Sequence, residues 1–323
     1  MDGAVLYEVV SMTLFTRTFV AGSIVRRLAR RVEPRRADRL ARLLVFGLVG
    51  LVVLAGGCDV PADEGSDVSP DPRSRVVSLS PAMTTTLLDL APEANLVGRT
   101  PWCRGAASAP VVGTLEGVDA ELLVQIRPDV VLVQPPASGI DPVILALRDR
   151  LEFRLISRRL DGLADVRATV DDLVAAGVVE STARDAWSAS ASEVAANADA
   201  VGAGRRLLLL HGLDPFRAVG TGTYLDETIE SAGAVNALQR PGWIELGVEA
   251  MVSLEPDVVV VIGDAPDATA MLDALPWRRR PVVVGFEHPD VFEPSTRIPE
   301  VNAAFRARLQ ANPASDPVAE RES

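Results

Sequence analysis

The sequence contains no lysine, and histidine, cysteine and aromatic residues are scarce. All 32 basic residues are arginine, so a lysine Schiff base and a lysine-dependent phosphate loop are excluded. The two histidines, His211 and His288, are not accompanied by a Gly-x-Ser-x-Gly sequence, so a Ser-His-Asp triad has no motif support. With only Cys58 and Cys103 the chain cannot build a disulfide framework.

Negative charge is concentrated in the part of the chain that follows residue 57. From Cys58 onward, 23 arginines stand against 40 acidic residues, a net charge of −17. Such an acidic body repels phosphate backbones, so nucleic acid is not expected as a partner. The 323 residues, 48% of them hydrophobic, are enough for two domains with sizeable cores.

A basic stretch followed by an apolar run is typical of an export signal. Eight arginines lie between Arg26 and Arg42, and the uncharged run 43–57 (LLVFGLVGLVVLAGG) ends at Cys58. A bilayer core needs about 20 apolar residues, so this shorter run suits a signal. The small residues before Cys58 resemble a bacterial lipoprotein box, in which the cysteine is lipidated. An uncleaved membrane anchor is the alternative, and both interpretations place the body outside the cytoplasm.

An internal repeat indicates two α/β units of the same design. Residues 121–134 (ELLVQIRPDVVLVQ) match residues 249–262 (EAMVSLEPDVVVVI) at an offset of 128 residues. In both, a short amphipathic helix ends at Pro-Asp and an all-apolar strand follows. The alternation of strands and helices predicts parallel sheets in both units. The intervening segment has no strand signal and predicts a helix to about Ala176, a break at Gly177 and a longer helix from Ser181 to about Ala200.

These signals together give a domain prediction. We expect an N-terminal extension and signal at 1–57, a flexible tether at 58–74, a first α/β lobe at 75–160, a helical linker at 161–203, a second α/β lobe at 204–311 and a disordered tail at 312–323. A stiff helical connection limits hinge motion between the lobes, which suits a binding protein better than an enzyme with a closing lid.

Several sequence motifs in this order resemble the periplasmic binding proteins that join two Rossmann-like lobes by a single long backbone helix. They are VVSLSPAMT at Val76, VGRTPWC at Val97, VVGTLEGVDAELL at Val111, RPDVVLV at Arg127, VGTGTYLDETIESAGAVN at Val219, GWIELGVEAM at Gly242 and EPDVVVV at Glu255. Members of this helical-backbone metal-receptor class carry cobalamin, ferric siderophores and haem to ABC importers. The resemblance implies an extracytoplasmic α/β binding protein that acts as a monomer, and the closest branch is the cobalamin-binding one.

The resemblance also implies where a ligand binds. Trp102 and Trp243 fall where the cobalamin branch has aromatic residues, and flat rings suit a corrin. Leu115 and Gln134 stand where that branch often has further tryptophans, and Arg217 stands where it has phenylalanine. The acidic residue that commonly follows SLSPxxT is replaced by Thr85.

A siderophore or haem is the alternative ligand. Arg99, Arg104 and Arg217 are the candidate contacts for its carboxylate or catecholate groups.

In the same class, one glutamate on each lobe pairs with arginines of the permease dimer. Glu121 and Glu249 are equivalent in the repeat, as a two-fold symmetric partner requires, although each also suits a helix N-terminus. We expect no catalytic residues, resident cofactor or bound structural metal. Two other functional classes stay open. One is a hydrolase, because the motif LLLLHGLDP at Leu207 resembles the oxyanion loop of α/β-hydrolases, and the other is a structural envelope lipoprotein. We interpret Cys103 as a small apolar residue that fills space in the core.

Overall fold

The computed structural model describes residues 74–114, 117–196, 199–263 and 265–312, all within one compact unit. The predicted signal, the predicted lipidation site Cys58, the predicted tether as far as residue 73 and Leu115 lie outside the described residues, as does the predicted tail after residue 312. No helix in the described part of the chain is long and apolar enough to cross a membrane.

The first lobe is built on a parallel sheet of four strands in the order β2-β1-β3-β4. Its elements in chain order are β1 (Val76–Ser78), α1 (Pro81–Leu90), β2 (Leu96–Arg99), α2 (Ala120–Ile126), β3 (Val130–Val133), α3 (Pro142–Leu151) and β4 (Arg154–Ser157). β1 and β3 are fully buried, as their valine-rich sequences predict. Ser80, Asp119 and Asp141 cap the three helices with side-chain oxygens that accept backbone N–H groups.

Two helices connect the lobes, α4 (Leu163–Ala175) and α5 (Ser181–Ala196). The predicted break is confirmed, because Gly177 adopts a φ of 66° that favours glycine. The second helix is the longer one, and it is described as far as Ala196 where the sequence predicted Ala200.

The second lobe contains a six-stranded sheet in the order β10-β9-β5-β6-β8, with β7 beside β5. Its elements are β5 (Arg206–Leu213), β6 (Phe216–Val219), α6 (Tyr224–Ser231), β7 (Val235–Asn236), β8 (Trp243–Leu246), α7 (Val248–Ser253), β9 (Val258–Ile262), α8 (Ala265–Asp273), β10 (Val282–Phe286) and α9 (Ile298–Gln310). The α/β class is therefore confirmed in both lobes.

The expectation of a wholly parallel second sheet is wrong at β6 and β8. β6 runs antiparallel to β5, and β8 antiparallel to β6. Only Asp214 and Pro215 separate β5 from β6. A two-residue connection closes a hairpin, whereas a parallel neighbour needs a crossover of a dozen or more residues.

A continuous buried core joins the two lobes. Leu132 of the first sheet, Leu173 of α4, Leu209 of the second sheet and Phe305 of α9 belong to the same buried apolar cluster, and each is completely buried. Opening the lobes at this level would expose apolar area to water. The core therefore holds the lobes together.

Candidate functional site

A cavity of about 700 Å³ lies at the carboxyl ends of β1 and β3 in the first lobe. Its lining includes Leu79, Ser80, Thr114, Val133, Gln134 and Pro135. Ser80 Oγ donates a hydrogen bond to Gln134 Oε1 at 3.1 Å, which fixes the predicted site residue Gln134 at the cavity wall. Ligands of open α/β sheets bind at the carboxyl ends of the strands, so this cavity is in the expected place.

An aromatic cluster lies in the second lobe and consists of His211, Tyr224, Trp243 and Phe292. The His211 ring is nearly perpendicular to the Trp243 indole at a centroid distance of 4.8 Å, and the Phe292 ring centroid lies 6.3 Å from that of His211. Tyr224 is 6.1 Å from Trp243 and donates its hydroxyl to the carbonyl of Val291. Burial raises the pKa of Tyr224, so the phenol stays protonated. The four rings thus pack against one another in pairs, with Trp243 and Phe292 partly exposed.

Three large rings in this region remain half exposed. The exposed fractions are 51% for Trp102, 47% for Trp243 and 53% for Phe292. Exposed apolar area that is held rigidly in place is typical of a binding surface, and flat rings contribute contact area with little loss of side-chain entropy.

A bridging segment, residues 287–297, carries Phe292 across to the first lobe. Arg104 contacts Asp290 at 2.6 Å and Glu293 at 2.7 Å. Cys103, next to Arg104, places its Sγ 3.7 Å from the carbonyl of Ser78 at the end of β1. These contacts place the loop that carries Trp102 between the end of β1, beside which the first-lobe cavity lies, and the segment that carries Phe292.

The same segment is fixed to α1 by further polar contacts. Arg297 pairs with Asp89 at 2.8 Å, and Thr296 Oγ1 donates to the same carboxylate at 2.7 Å. Thr85, which stands where the sequence resemblance led us to expect an acidic residue, donates to Glu293 at 3.1 Å. The hydrogen bond with Glu293 raises the pKa of Arg104, and that with Asp89 raises the pKa of Arg297. Both guanidinium groups therefore serve the contact between the lobes.

Asp290→Asn is expected to lower the free energy of unfolding by about 1–2 kcal/mol, measured by urea denaturation. Asp290 is only 5% exposed and accepts from both Arg104 and Arg297, which would lose a charged acceptor. The partial exposure of both arginines keeps the loss below that of a fully buried pair. The control is Asp149→Asn, which removes an exposed pair with Arg148 and should stay within about 0.5 kcal/mol of the wild type. Equal stability of the two variants would show that the bridging segment is held without this network.

All three predicted ligand arginines have partners within the protein. Arg99 donates to the carbonyls of Ala109 and Thr100 at 3.0 Å each and shapes the loop between them. Arg104 is held by carboxylates as described, and Arg217 is exposed on β6, 3.7 Å from Glu245 of β8. The site therefore presents aromatic surface more than free positive charge.

From the sequence, His211 is considered only as a member of a catalytic triad without motif support, and its place in the aromatic cluster is missed. Its Nε2 atom is buried and has no hydrogen-bond partner among the described residues. Burial, with a smaller contribution from the charge of Arg217, lowers the pKa of His211. The imidazole is therefore neutral near pH 7. Phe292 was also missed, because the bridging segment has no periodic pattern.

Other sequence-derived candidates are structural. Cys103 is buried and contacts Thr100 Oγ1 at 3.1 Å, in keeping with its interpretation as a filler. In the part of the chain that the structure describes, no group of three His, Cys, Asp or Glu side chains is placed to hold a metal ion.

Glu121 and Glu249, the predicted docking residues, are both exposed and lie in the first turns of α2 and α7. The two helices start at Ala120 and Val248, 128 residues apart, as the repeat predicts.

Comparison with solved structures identifies the fold. The chain is 25% identical to the periplasmic haem-binding protein BhuT in complex with two haems, covering 73% of this chain and 98% of that one with a TM-score of 0.59. For the periplasmic vitamin B12 binding protein BtuF of Vibrio cholerae the identity is 16%, the coverage 74% and 98%, and the TM-score 0.61. A possible iron-binding, periplasmic solute-binding protein of Staphylococcus epidermidis is 17% identical, with coverage of 73% of this chain and 98% of that one and a TM-score of 0.61.

No protein-family model and no curated protein matches the chain. The fold is nevertheless that of the two-lobed periplasmic solute-binding proteins, and the resemblance read from the sequence is confirmed at this level. The structural neighbours are binding proteins and not enzymes.

Proposed function

We propose that this protein is the extracytoplasmic solute-binding component of an ABC importer and that it binds a flat tetrapyrrole metal chelate, such as cobalamin or a related corrinoid. The observation that carries the proposal is the set of three half-exposed rings: Trp102, close in sequence to Arg104 at the contact between the lobes, and Trp243 and Phe292 beside His211. The fold is shared with proteins that bind haem or vitamin B12 and with a possible iron-binding protein, which supports a solute-binding function for a metal or metal chelate without selecting the ligand.

The pairing of the three candidate arginines favours a tetrapyrrole over a ferric siderophore. A tris-catecholate or similar siderophore complex carries several negative charges and is best met by free cationic groups. Here Arg99 and Arg104 are engaged by carbonyl and carboxylate oxygens, and Arg217 has a carboxylate beside it. A largely apolar macrocycle needs aromatic area instead, and the aromatic cluster supplies it.

Haem is the second candidate, and His211 favours it. A neutral imidazole with an unpartnered nitrogen is a good ligand for iron that has an open axial position. Because this nitrogen is buried, coordination requires the surrounding side chains to move and expose it.

The test is a titration of the purified protein with cyanocobalamin, dicyanocobinamide, haemin and a ferric catecholate siderophore, followed by tryptophan fluorescence and visible absorbance. We expect saturable quenching by at least one tetrapyrrole and none by the siderophore. Binding of the siderophore alone would reject the tetrapyrrole and keep the binding-protein function. A shifted haemin absorbance that is lost in His211→Ala would favour haem.

The membrane anchor is a further part of the proposal. Cys58→Ser is expected to release the protein from the membrane fraction into the soluble extracytoplasmic fraction, because the lipid-bearing thiol is lost. The measurement is fractionation of cells that express each form, followed by immunoblotting. A matched Cys103→Ser variant should stay with the membranes. Retention of Cys58→Ser would favour an uncleaved anchor formed by residues 43–57.

A further inference from the structure

The repeat extends beyond the sequence match and governs the local structure of both lobes. β3 and β9 start at Val130 and Val258, and β4 and β10 start at Arg154 and Val282, each pair separated by 128 residues. The residue before each Pro-Asp, Arg127 or Glu255, has a left-handed φ of 49° or 46°. The starts of α2 and α7 have the same offset, so one helix and two strands of each lobe are equivalent and present matching local surfaces.

A groove lies beside each of the two predicted docking glutamates. In the first lobe a groove of about 410 Å³ is lined by Ala120, Glu121, Val124, Gln125, Leu147 and Arg150. In the second lobe a groove of about 500 Å³ is lined by Val248, Glu249, Val252, Ser253, Glu255 and Arg278, together with Pro276. Glu121 corresponds to Glu249 and Arg150 to Arg278, both at the offset of 128 residues. Each groove therefore has an apolar wall with one acidic and one basic side chain at matching positions, and the second groove has Glu255 in addition.

These charged groups are available to a partner. Glu121, Glu249 and Arg150 are exposed, and none of them forms an ion pair within the described part of the chain. Arg278 pairs with Glu255 at 3.2 Å, but the two side chains are 86% and 54% exposed. An exposed pair of this kind contributes little and can exchange for a contact with another protein.

Stabilisation of a helix end does not account for both arginines. Arg150 lies in the last turn of α3, where a basic side chain is favoured by the helix dipole. Arg278 lies beyond the end of α8 at Asp273, in a segment with no helix to stabilise. The recurrence of an arginine at the same position of both grooves, on a body of strongly negative charge, therefore points to a shared partner.

We propose that Arg150 and Arg278 form a second pair of docking contacts, each facing a carboxylate on the two-fold symmetric importer that presents cations to Glu121 and Glu249. This inference rests on the proposed function. Each half of the partner would then present a basic residue, an acidic residue and an apolar side chain that enters the groove beside Val124 or Val252. Arginine binds carboxylates in a bidentate geometry, and alternating charges fix the register of an interface.

The experiment compares the full-length double variant Arg150→Glu/Arg278→Glu with Arg148→Glu/Arg280→Glu, which makes the same change in net charge outside the grooves. Uptake of radiolabelled cyanocobalamin and of radiolabelled haemin is measured in the source cells with the native gene replaced. We expect the groove variant to slow uptake about tenfold or more and the control to slow it less than about threefold. Affinity for the transported tetrapyrrole and the melting temperature are measured on the same proteins, and both should be unchanged.

The outcomes separate this inference from the proposed function. Equal uptake by the two double variants would overturn the second docking pair, and so would a parallel loss of tetrapyrrole affinity. If the charge reversal lowers the melting temperature, Arg150→Gln/Arg278→Gln replaces it and should still slow uptake more than Arg148→Gln/Arg280→Gln. A wild-type protein that neither binds nor supports uptake of a tetrapyrrole would instead contradict the proposed function itself.

Discussion

Changing Glu121 and Glu249 together to alanine is expected to reduce uptake to near background while the affinity for ligand stays unchanged. Each carboxylate is exposed on its own lobe at an equivalent position of the repeat. If both meet arginines of a symmetric permease, the double variant loses two charge-assisted contacts and leaves two cations of the partner unpaired. Each single variant should give a partial loss, and reversal to arginine should be worse than alanine because it adds repulsion.

The control for this prediction is Glu93→Ala/Glu193→Ala, which removes two exposed carboxylates that are not equivalent in the repeat. It changes the net charge by the same amount and should support normal uptake. Two titrations of each double variant are needed, one with the tetrapyrrole and one with the importer in membranes. Loss of tetrapyrrole binding in the Glu121/Glu249 variant would assign these residues to the fold or the pocket, and the docking role would have to be abandoned.

Changing Trp102 and Trp243 together to alanine is expected to weaken ligand binding about 100-fold or more. A well-packed aromatic contact contributes roughly 1–3 kcal/mol, and the two rings lie on loops or strand ends of different lobes. Both are about half exposed, so their removal should cost the fold little. The affinity is measured by visible absorbance, because the variants lose the fluorescence signal of these two rings.

Two further variants sharpen this result. Trp102→Phe/Trp243→Phe keeps a flat ring at each position and should retain most of the affinity. Trp277→Phe is the matched control, because Trp277 packs against the second-lobe core and donates to the carbonyl of Leu272. Wild-type affinity in the double alanine variant would show that these rings do not contact the ligand.

Much of the fold could be predicted because its signals are local. The valine-rich strands, the Pro-Asp boundaries and the left-handed Gly177 each follow from a short stretch of sequence. The antiparallel β6 and β8 were missed, because the helix–strand alternation elsewhere favoured a parallel sheet and outweighed the two-residue turn at Asp214 and Pro215.

The site was harder to predict because it depends on contacts between distant residues. Arg104 was predicted to face the ligand, yet its carboxylate partners, Asp290 and Glu293, come from a segment nearly two hundred residues further along the chain. The same segment brings Phe292 to His211. No local sequence pattern predicts contacts between such distant residues. Trp102 and Trp243 could therefore be proposed as site residues only through the resemblance to the cobalamin-binding branch. The ligand roles of both tryptophans, Gln134 and the arginines stay predictions.

The most direct test of the tetrapyrrole proposal is the native mass spectrum, with the visible absorbance, of protein purified from its own cells grown with cobalamin and haem available. We expect the mass of one chain plus that of a bound ligand, together with the absorbance bands of a tetrapyrrole metal chelate. A colourless protein with no added mass, or one that carries a ferric siderophore, would contradict it.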